Sequence, residues 1–445
     1  MSASLINIGL AGATTARSAL EVTAQNIANA ETEGYVRRRV SQTEISAAGT
    51  VGGYTGETYN GVRVGDIFRP DAPLLQAEAR RSAASFSQAD AEVAALSTAE
   101  ITLEQSGLFD ALVEFEASFA QLQSDPLDPS LRANALEQGR ALAETFNLAS
   151  EGLTQSRDFL QSDAGNTVSE INRLAGELAD VNLAFTRSEA GTASHAVLLD
   201  QRDLLLGELA QEVGVTAQIS PNGVANVRLG DAGGELLVDG TNAVTLSASN
   251  NADGSLAFDV GGTAVTPASG RIAGQANALV AQNGLLADLD AVAQSAIAIL
   301  NASQSSGSAS DGSAGQAFFS GTGAGDIAIA LADGSGIATA PAGAGAGSLD
   351  TSNLAALRTA LANGGPAEEA DAVLFEISSR VRNQTVSRDA LAILSQSAES
   401  ALSAATDVDL DQEAAHLIQF QQAFQASSRV IQVANEIFDS ILSIR

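Results

Sequence analysis

The chain has 445 residues, 45% of them hydrophobic, and its 53 acidic against 22 basic side chains give a net charge of -31. That is enough apolar material for two or three domains, while the acidic balance, with every basic residue an Arg, disfavours nucleic-acid and membrane-surface roles. No run approaches the roughly 18 apolar residues of a membrane span, no basic segment precedes an apolar stretch near Met1, and with zero Cys there is no thiolate metal site, disulfide or Cys nucleophile.

From the start of the chain, Ile6, Leu10, Ala13, Arg17, Leu20, Ala24 and Ile27 alternate four and three apart. That spacing predicts a helix with one apolar seam, interrupted by Arg17. The segment 1–46 carries four acids and four Arg, so it is neutral. From Ala72 to Leu209 the chain is rich in Ala, Glu, Gln and Leu and reads as three or four long helices, with Pro126 and Pro129 marking a turn before a new one. From Glu212 to Gly270 the period moves towards two, as in Val213, Val215, Ala217 and Ile219, and Pro221-Asn-Gly223, Asp239-Gly240 and Asp253-Gly254 signal turns. This predicts a small antiparallel β module.

Residues 272–300 read as helix again. The Gly/Ser/Ala-rich tract 304–347 holds one short strand candidate, Ile327 to Leu331, and 354–404 returns to helix. In the last segment Leu410, Leu417, Phe424, Ile431 and Phe438 recur every seven residues, with Phe420, Ser427, Ala434 and Ile441 three positions after the later four. As one helix this is a stripe of roughly nine turns suited to helix packing. The segment 410–445 has a net charge of only -2, so the body between the two seams carries -29.

The fold class is therefore mainly α with β insertions: a seam helix and following motif at 1–46, a helical body over 47–211, 271–302 and 350–409, a β module at 212–270, a Gly/Ser-rich insertion at 303–349, and a second seam helix at 410–445. The assembly residues expected from the seams are Ile6, Leu10, Ala13, Leu20, Ala24 and Ile27, with Leu417, Phe420, Phe424, Ile431, Ala434, Phe438 and Ile441.

Chemistry is sparse. His195 and His416 lie in apolar helical contexts with no second ligand at metal spacing. The tracts Gly321-Thr-Gly-Ala-Gly325 and Gly343-Ala-Gly-Ala-Gly347 lack the Lys-Ser/Thr of a phosphate loop and read as flexible loops. Carboxylate pairs are expected by chance among 53 acids, so no catalytic residue, metal or cofactor is assigned. Arg37, Arg38 and Arg39 form the basic cluster, read as a solvated turn or as a partner for an acidic neighbouring subunit.

Ala24-Gln-Asn-Ile-Ala-Asn29, followed by Thr32, Gly34-Tyr35 and Arg37, resembles the N-terminal signature of the flagellar rod, hook and hook-associated axial proteins. The motif residues are Asn26, Asn29, Thr32, Gly34, Tyr35 and Arg37. Val408 to Glu413 and Leu417 to Ala426 are similar to the shared axial C-terminus. Gly34-Tyr-Val-Arg37, Ile171-Asn172 through Leu183, the block Leu198-Leu-Asp200-Gln201-Arg202-Asp203, and Asn301 to Phe319 look like the hook-filament junction branch rather than hook or rod subunits, although Gln304 and Ser305 depart from its usual form.

The resemblance implies that the terminal helices pair as a coiled coil in an inner tube while an elongated body projects outward. It implies partners: further copies in a ring, the hook protein, the second junction protein and a cytoplasmic export chaperone. It also implies export through the flagellar type III channel to an extracellular hook-filament junction, without nucleic acid or membrane insertion. Another axial protein of the same family, or an enzyme or ligand-binding module in the β or Gly-rich insertion, are the competing readings.

Overall fold

The computed structural model describes residues 2–51 and 54–443, with side chains over 5–45 and 61–440. The N-terminal helix α1 (Ser2–Ala28) is followed by an antiparallel hairpin of β1 (Arg39–Val51) and β2 (Tyr54–Phe68). The sequence reading had assigned 47–71 to the helical body. Its second strand corrects that, and the register keeps Arg39 opposite Phe68 with Val40 opposite Ile67.

Four helices then build the body: α2 (Pro73–Gln105), α3 (Leu108–Leu122), α4 (Pro129–Phe185) and α5 (Ala193–Glu212). The expected turn at Pro126 and Pro129 is the start of α4. Pro129 occupies the first turn, where no N–H is needed, and the Asp128 carboxylate accepts from Ser130 N at 2.7 Å and Leu131 N at 3.1 Å. At 57 residues, α4 is roughly 85 Å long and makes the body elongated.

The β module has two sheets. One is β3 (Val215–Ile219), β4 (Ala225–Leu229), β5 (Leu236–Asp239) and β6 (Asn242–Ala243); the other is β7 (Leu246–Asn250), β8 (Leu256–Val260) and β9 (Thr263–Val265). Gly223, Gly240 and Gly254, flagged as turn residues in the sequence, all take positive φ. Two asparagines of α4 fasten these sheets. Asn182 donates to the Ala225 and Gly240 carbonyls and accepts from Ala225 N, and Asn172 pairs the same way with Leu246. Each side chain satisfies backbone groups that would otherwise be buried without partners.

Helix α6 (Arg271–Ser305) follows, then α7 (Ser352–Ala362), α8 (Pro366–Thr406) and α9 (Leu410–Ser443). Among the described helices α6 is long and apolar enough to cross a membrane by composition alone. Here it packs on α2, α4 and α8, with Leu285, Leu289, Val292 and Leu300 in the main core.

That core also corrects the reading of the Gly-rich tract. Phe318 and Phe319 pack on Phe115 and Phe119 of α3 at centroid distances of 5.7 to 5.9 Å, and Ala324, Ile327 and Ile337 are buried beside them. Asn301 holds the two rings in place by accepting from Phe318 N and Phe319 N. Around Gly321 to Gly325 the backbone is fixed by the Asp326 carboxylate, which accepts from Thr322 N and Gly323 N. At Gly321 (φ 112°) an added Cβ would lie 2.6 Å from the Asp326 carbonyl oxygen. Glycine is there for close approach rather than for flexibility.

Among the described side chains, none of α1 or α9 belongs to any of the three buried apolar clusters of the body. The two terminal helices pack on each other instead, and α1 also lies against the β1–β2 hairpin.

Candidate assembly site

Helices α1 and α9 run antiparallel, since Gly9 meets Ser427 and Ile431 while Asn26, 17 residues later, meets Glu413. A Cβ added at Gly9 would stand 2.7 Å from Ile431 Cγ1, and one added at Gly12 would stand 2.6 Å from Ser427 Oγ. The helices therefore approach closely, and only small residues fit between them. On α1 the stripe with this spacing is Gly9, Gly12, Ala16, Ala19, Thr23 and Asn26, with Ala16, Ala19, Thr23 and Asn26 all buried.

This stripe sits one residue before the seam picked out by apolar size. Of the expected residues, Ala13 is buried, Ile6 and Leu20 are half-buried, and Leu10, Ala24 and Ile27 are exposed. On α9 the expected stripe does turn towards α1: Ala434 is buried and Leu417, Phe420 and Ile431 are half-buried. Phe424 and Phe438 are exposed, and the side chain of Ile441 lies outside the described residues. The pair thus turns large apolar side chains outward, Leu10 at 55% exposure and Phe438 at 48% among them.

At its inner end the pair is tied to the body by buried charges. Asn26, fully buried, donates to the Arg38 carbonyl at 2.8 Å and to Glu413 Oε2 at 3.1 Å, and its Oδ1 accepts from Arg38 N and the Tyr35 hydroxyl. Arg37 donates through Nε to Glu413 Oε1 at 2.7 Å and through its backbone N–H to the Thr406 carbonyl at 3.0 Å, fixing the end of α8. Arg38, stacked over the Tyr35 ring at 4.8 Å, and Arg69, just before α2, each reach Asp200 of α5 at 2.8 Å. Asp203 completes the group, accepting from Arg69, Arg202 and Gln76.

Four arginines and three carboxylates, all nearly buried, thus join α1, α5, α9 and the approaches to α2. Arg37 and Arg38 are neither solvated nor free for a neighbouring subunit, which corrects the sequence reading of the basic cluster; Arg39 is exposed.

The remaining motif residues shape the backbone. Asn29 donates to the Gln25 carbonyl to end α1, Thr32 and Tyr35 close successive turns, and Gly34 (φ 74°) lies against Leu204. Gln201 is exposed and takes no part. The sequence reading missed the roles of Gly9, Gly12, Arg69, Gln76 and Glu413, and it singled out Arg38 only as part of the basic cluster. The available signal for Glu413 was its position four residues before Leu417, on the same helix face, with no further acid until Glu436.

No group of three or more possible metal ligands occurs among the described residues. His195 stacks edge-on with Phe185 and its Nδ1 lies 2.9 Å from the Ser188 hydroxyl; burial lowers its pKa, which favours the neutral ring.

Burial pushes the Asp200 carboxyl above its usual range, although Arg38 and Arg69 pull it down. Burial raises Glu116, Glu212 and Asp288 as well, the last helped by Glu376. Glu116, Glu212 and Asp288 stabilise the fold fully below ordinary carboxylate values and lose that contribution as pH rises through their folded values. Asp253, Asp311, Asp326, Asp333 and Asp350 are lowered by hydrogen bonds within their own turns, so their contribution is lost only as pH falls through their folded values. The expected melting temperature therefore rises as pH is lowered from neutrality towards about 4, the ordinary carboxylate region, and falls below it. Thermal melts at constant ionic strength check this, and a steady decline from pH 7 to pH 5 would contradict it.

Comparison with known proteins gives three family matches. "Flagella basal body rod protein" covers residues 6–35, "Flagellar hook-associated protein FlgK helical domain" covers 98–319, and "Flagellar basal body rod FlgEFG protein C-terminal" covers 402–444. The chain is 27% identical over 504 residues to flagellar hook-associated protein 1 of Bacillus subtilis, spanning 96% of this chain and 95% of that one. The chain belongs to the FlgK family of flagellar hook-associated proteins. Its match to the Escherichia coli member, at 28% identity, covers 55% of this chain and 45% of that one. A solved structure, the flagellar hook junction protein FlgK from Burkholderia pseudomallei, aligns over 55% of this chain and 46% of its own with 22% identity and a TM-score of 0.48. As a FlgK-family member the chain is a structural protein of the flagellum and assembles with other axial proteins. The two terminal matches fall on α1 with its motif and on the end of α8 with α9; the FlgK match falls on the body.

Proposed function

We propose that this chain forms part of the junction between hook and filament and seats the filament, acting by assembly rather than catalysis. The observation that carries the reading is the α1–α9 pair. It meets through small residues, contributes nothing to the core of the body, and turns Leu10, Ile27, Phe424 and Phe438 outward. A helix pair with apolar faces on its outside is completed by neighbours, here further copies of the chain in a ring, with the hook protein on one side and the second junction protein on the other. The assembly residues are those of the two seams together with Gly9 and Gly12. The narrow flagellar type III channel passes an unfolded chain, and a cytoplasmic chaperone would shield the seams until export.

Deleting the gene is expected to leave hooks without filaments, with flagellin released into the medium and motility lost. Electron microscopy of the deletion strain and an immunoblot of its culture supernatant check this. Normal filaments would exclude the junction role and favour another place along the axial structure.

A further inference from the structure

Helices α1 and α9 repeat with the same period, so shape alone leaves their pairing degenerate. On α1 the facing stripe Gly9, Gly12, Ala16, Ala19, Thr23 and Asn26 steps three and four by turns, seven residues to a repeat. On α9 Glu413, Phe420, Ser427 and Ala434 recur every seven residues, with Ile431 and Phe438 on the neighbouring row. A slide by one repeat, about 10 Å by helical rise, brings like faces together again.

Of the two slides, one would set Phe420 on Gly12, where a Cβ already stands 2.6 Å from Ser427 Oγ, and size excludes it. The other moves α1 outward along α9, setting Ala434 on Gly12 and Phe438 beside Gly9. Ala434 is smaller than the serine it would replace there. The ten residues 29–38 between α1 and β1 are held in turns and contain chain enough to follow. Against the hairpin α1 is held by Thr15, whose hydroxyl donates to the Val62 carbonyl at a long 3.4 Å.

A polar group tells the two registers apart. Asn26, the last member of the α1 stripe, is fully buried and makes four hydrogen bonds in the observed register, to Glu413 Oε2, to the Arg38 N–H and carbonyl, and to the Tyr35 hydroxyl. Glu413 is itself held by Arg37. After the slide Asn26 would face Phe420, whose side chain has no polar atom, and Glu413 would stand beyond the end of α1. The buried amide and the Arg38 backbone groups would lose their partners together, which disfavours the slipped register.

We infer that Asn26 sets the register of the terminal helix pair, selecting through its buried hydrogen bonds one of two arrangements that packing leaves open. It is a positioning residue, acting through Glu413 and Arg38. What it controls rests on the junction reading: a slide carries Phe424 and Phe438 about 10 Å past Leu10 and Ile27 and so changes the outer apolar face that neighbouring copies meet.

Because the chain has no cysteine, introduced pairs report the register without background. A Cβ at Gly12 lies 3.4 Å from Ser427 Cβ, near the spacing of about 3.8 Å that a disulfide needs. Gly12→Cys with Ser427→Cys therefore reads the observed register. Gly12→Cys with Ala434→Cys, carrying Ser427→Ala to leave the same space, reads the slipped one. The purified full-length variants are oxidised mildly and the intramolecular disulfide is quantified by peptide mapping. The expected result is that the first pair closes and the second stays open. Asn26→Leu, which keeps the volume and removes the hydrogen bonds, should lower the ratio of observed to slipped disulfide about tenfold or more, while hydrogen exchange shows α1 still protected.

An unchanged ratio in Asn26→Leu overturns the proposal, since packing would then set the register. Equal closure of both pairs with Asn26 in place overturns it too. Loss of α1 protection in Asn26→Leu would mean that Asn26 holds the pair together rather than choosing its register, and overturns it as well. None of these outcomes touches the junction reading, which stands or falls with the deletion strain.

Discussion

Asp200→Ala destabilises the docking of the terminal helices by about 3–5 kcal/mol, the cost of breaking a buried charge pair from one side. Asp200 is the acceptor shared by Arg38 and Arg69, and all three are nearly buried. Removing the carboxylate leaves two guanidinium groups in an environment that already denies partners to Arg37 Nη2 and Arg38 Nε. The substitution creates little cavity, so the loss is electrostatic. Asp200→Asn keeps an acceptor for one arginine and is expected to lose less. Hydrogen exchange is the direct readout: protection over α1 and α9 should fall in Asp200→Ala while the Phe115, Phe119, Phe318 and Phe319 core stays protected. Unchanged protection of both terminal helices in Asp200→Ala would show that the charged group does not hold them to the body.

Ile431→Asp abolishes incorporation into flagella while leaving the melting transition of the body where it was. Ile431 packs on Gly9 at the closest approach of α1 and α9, where backbone lies within reach of any side chain. A carboxylate there must be buried without a partner or must force the helices apart, at a cost of several kcal/mol in each assembled copy. The body is spared because its three buried clusters draw nothing from α9. Thermal melts of the purified chain beside an incorporation assay on isolated hooks separate the two effects. A large fall in the main melting transition would mean that α9 is part of the body's own fold.

Much of the architecture was legible in the sequence because it is decided locally. Asp128 and Pro129 start α4 by capping chemistry that needs no tertiary partner. Gly223, Gly240 and Gly254 mark β turns because few other residues tolerate the backbone they adopt. The seven-residue repeat from Leu417 to Phe438 predicts a packing stripe on α9, and most of that stripe does face α1. The axial motif at Ala24 to Arg37 identified the family on residues alone.

What only the tertiary structure decided is which surfaces meet and how closely. Apolar size put the α1 seam on Ile6, Leu10, Leu20 and Ile27, but α9 approaches near enough at Gly9 and Gly12 to admit only small residues, so that Leu10 and Ile27 turn outward and Ile6 and Leu20 are only half-buried. Periodicity reports which residues avoid water; it carries no information on the distance between helices. Arg37 and Arg38 read as solvated because isolated charges favour water, yet Glu413, 376 residues from Arg37, and Asp200, 162 from Arg38, make their burial possible. The Gly-rich tract read as flexible because its composition favours freedom, and it is ordered because Phe318 and Phe319 anchor it in a core built by α3 and α6. In each case the deciding partner is distant in sequence, so the local pattern was correct about chemistry and silent about company.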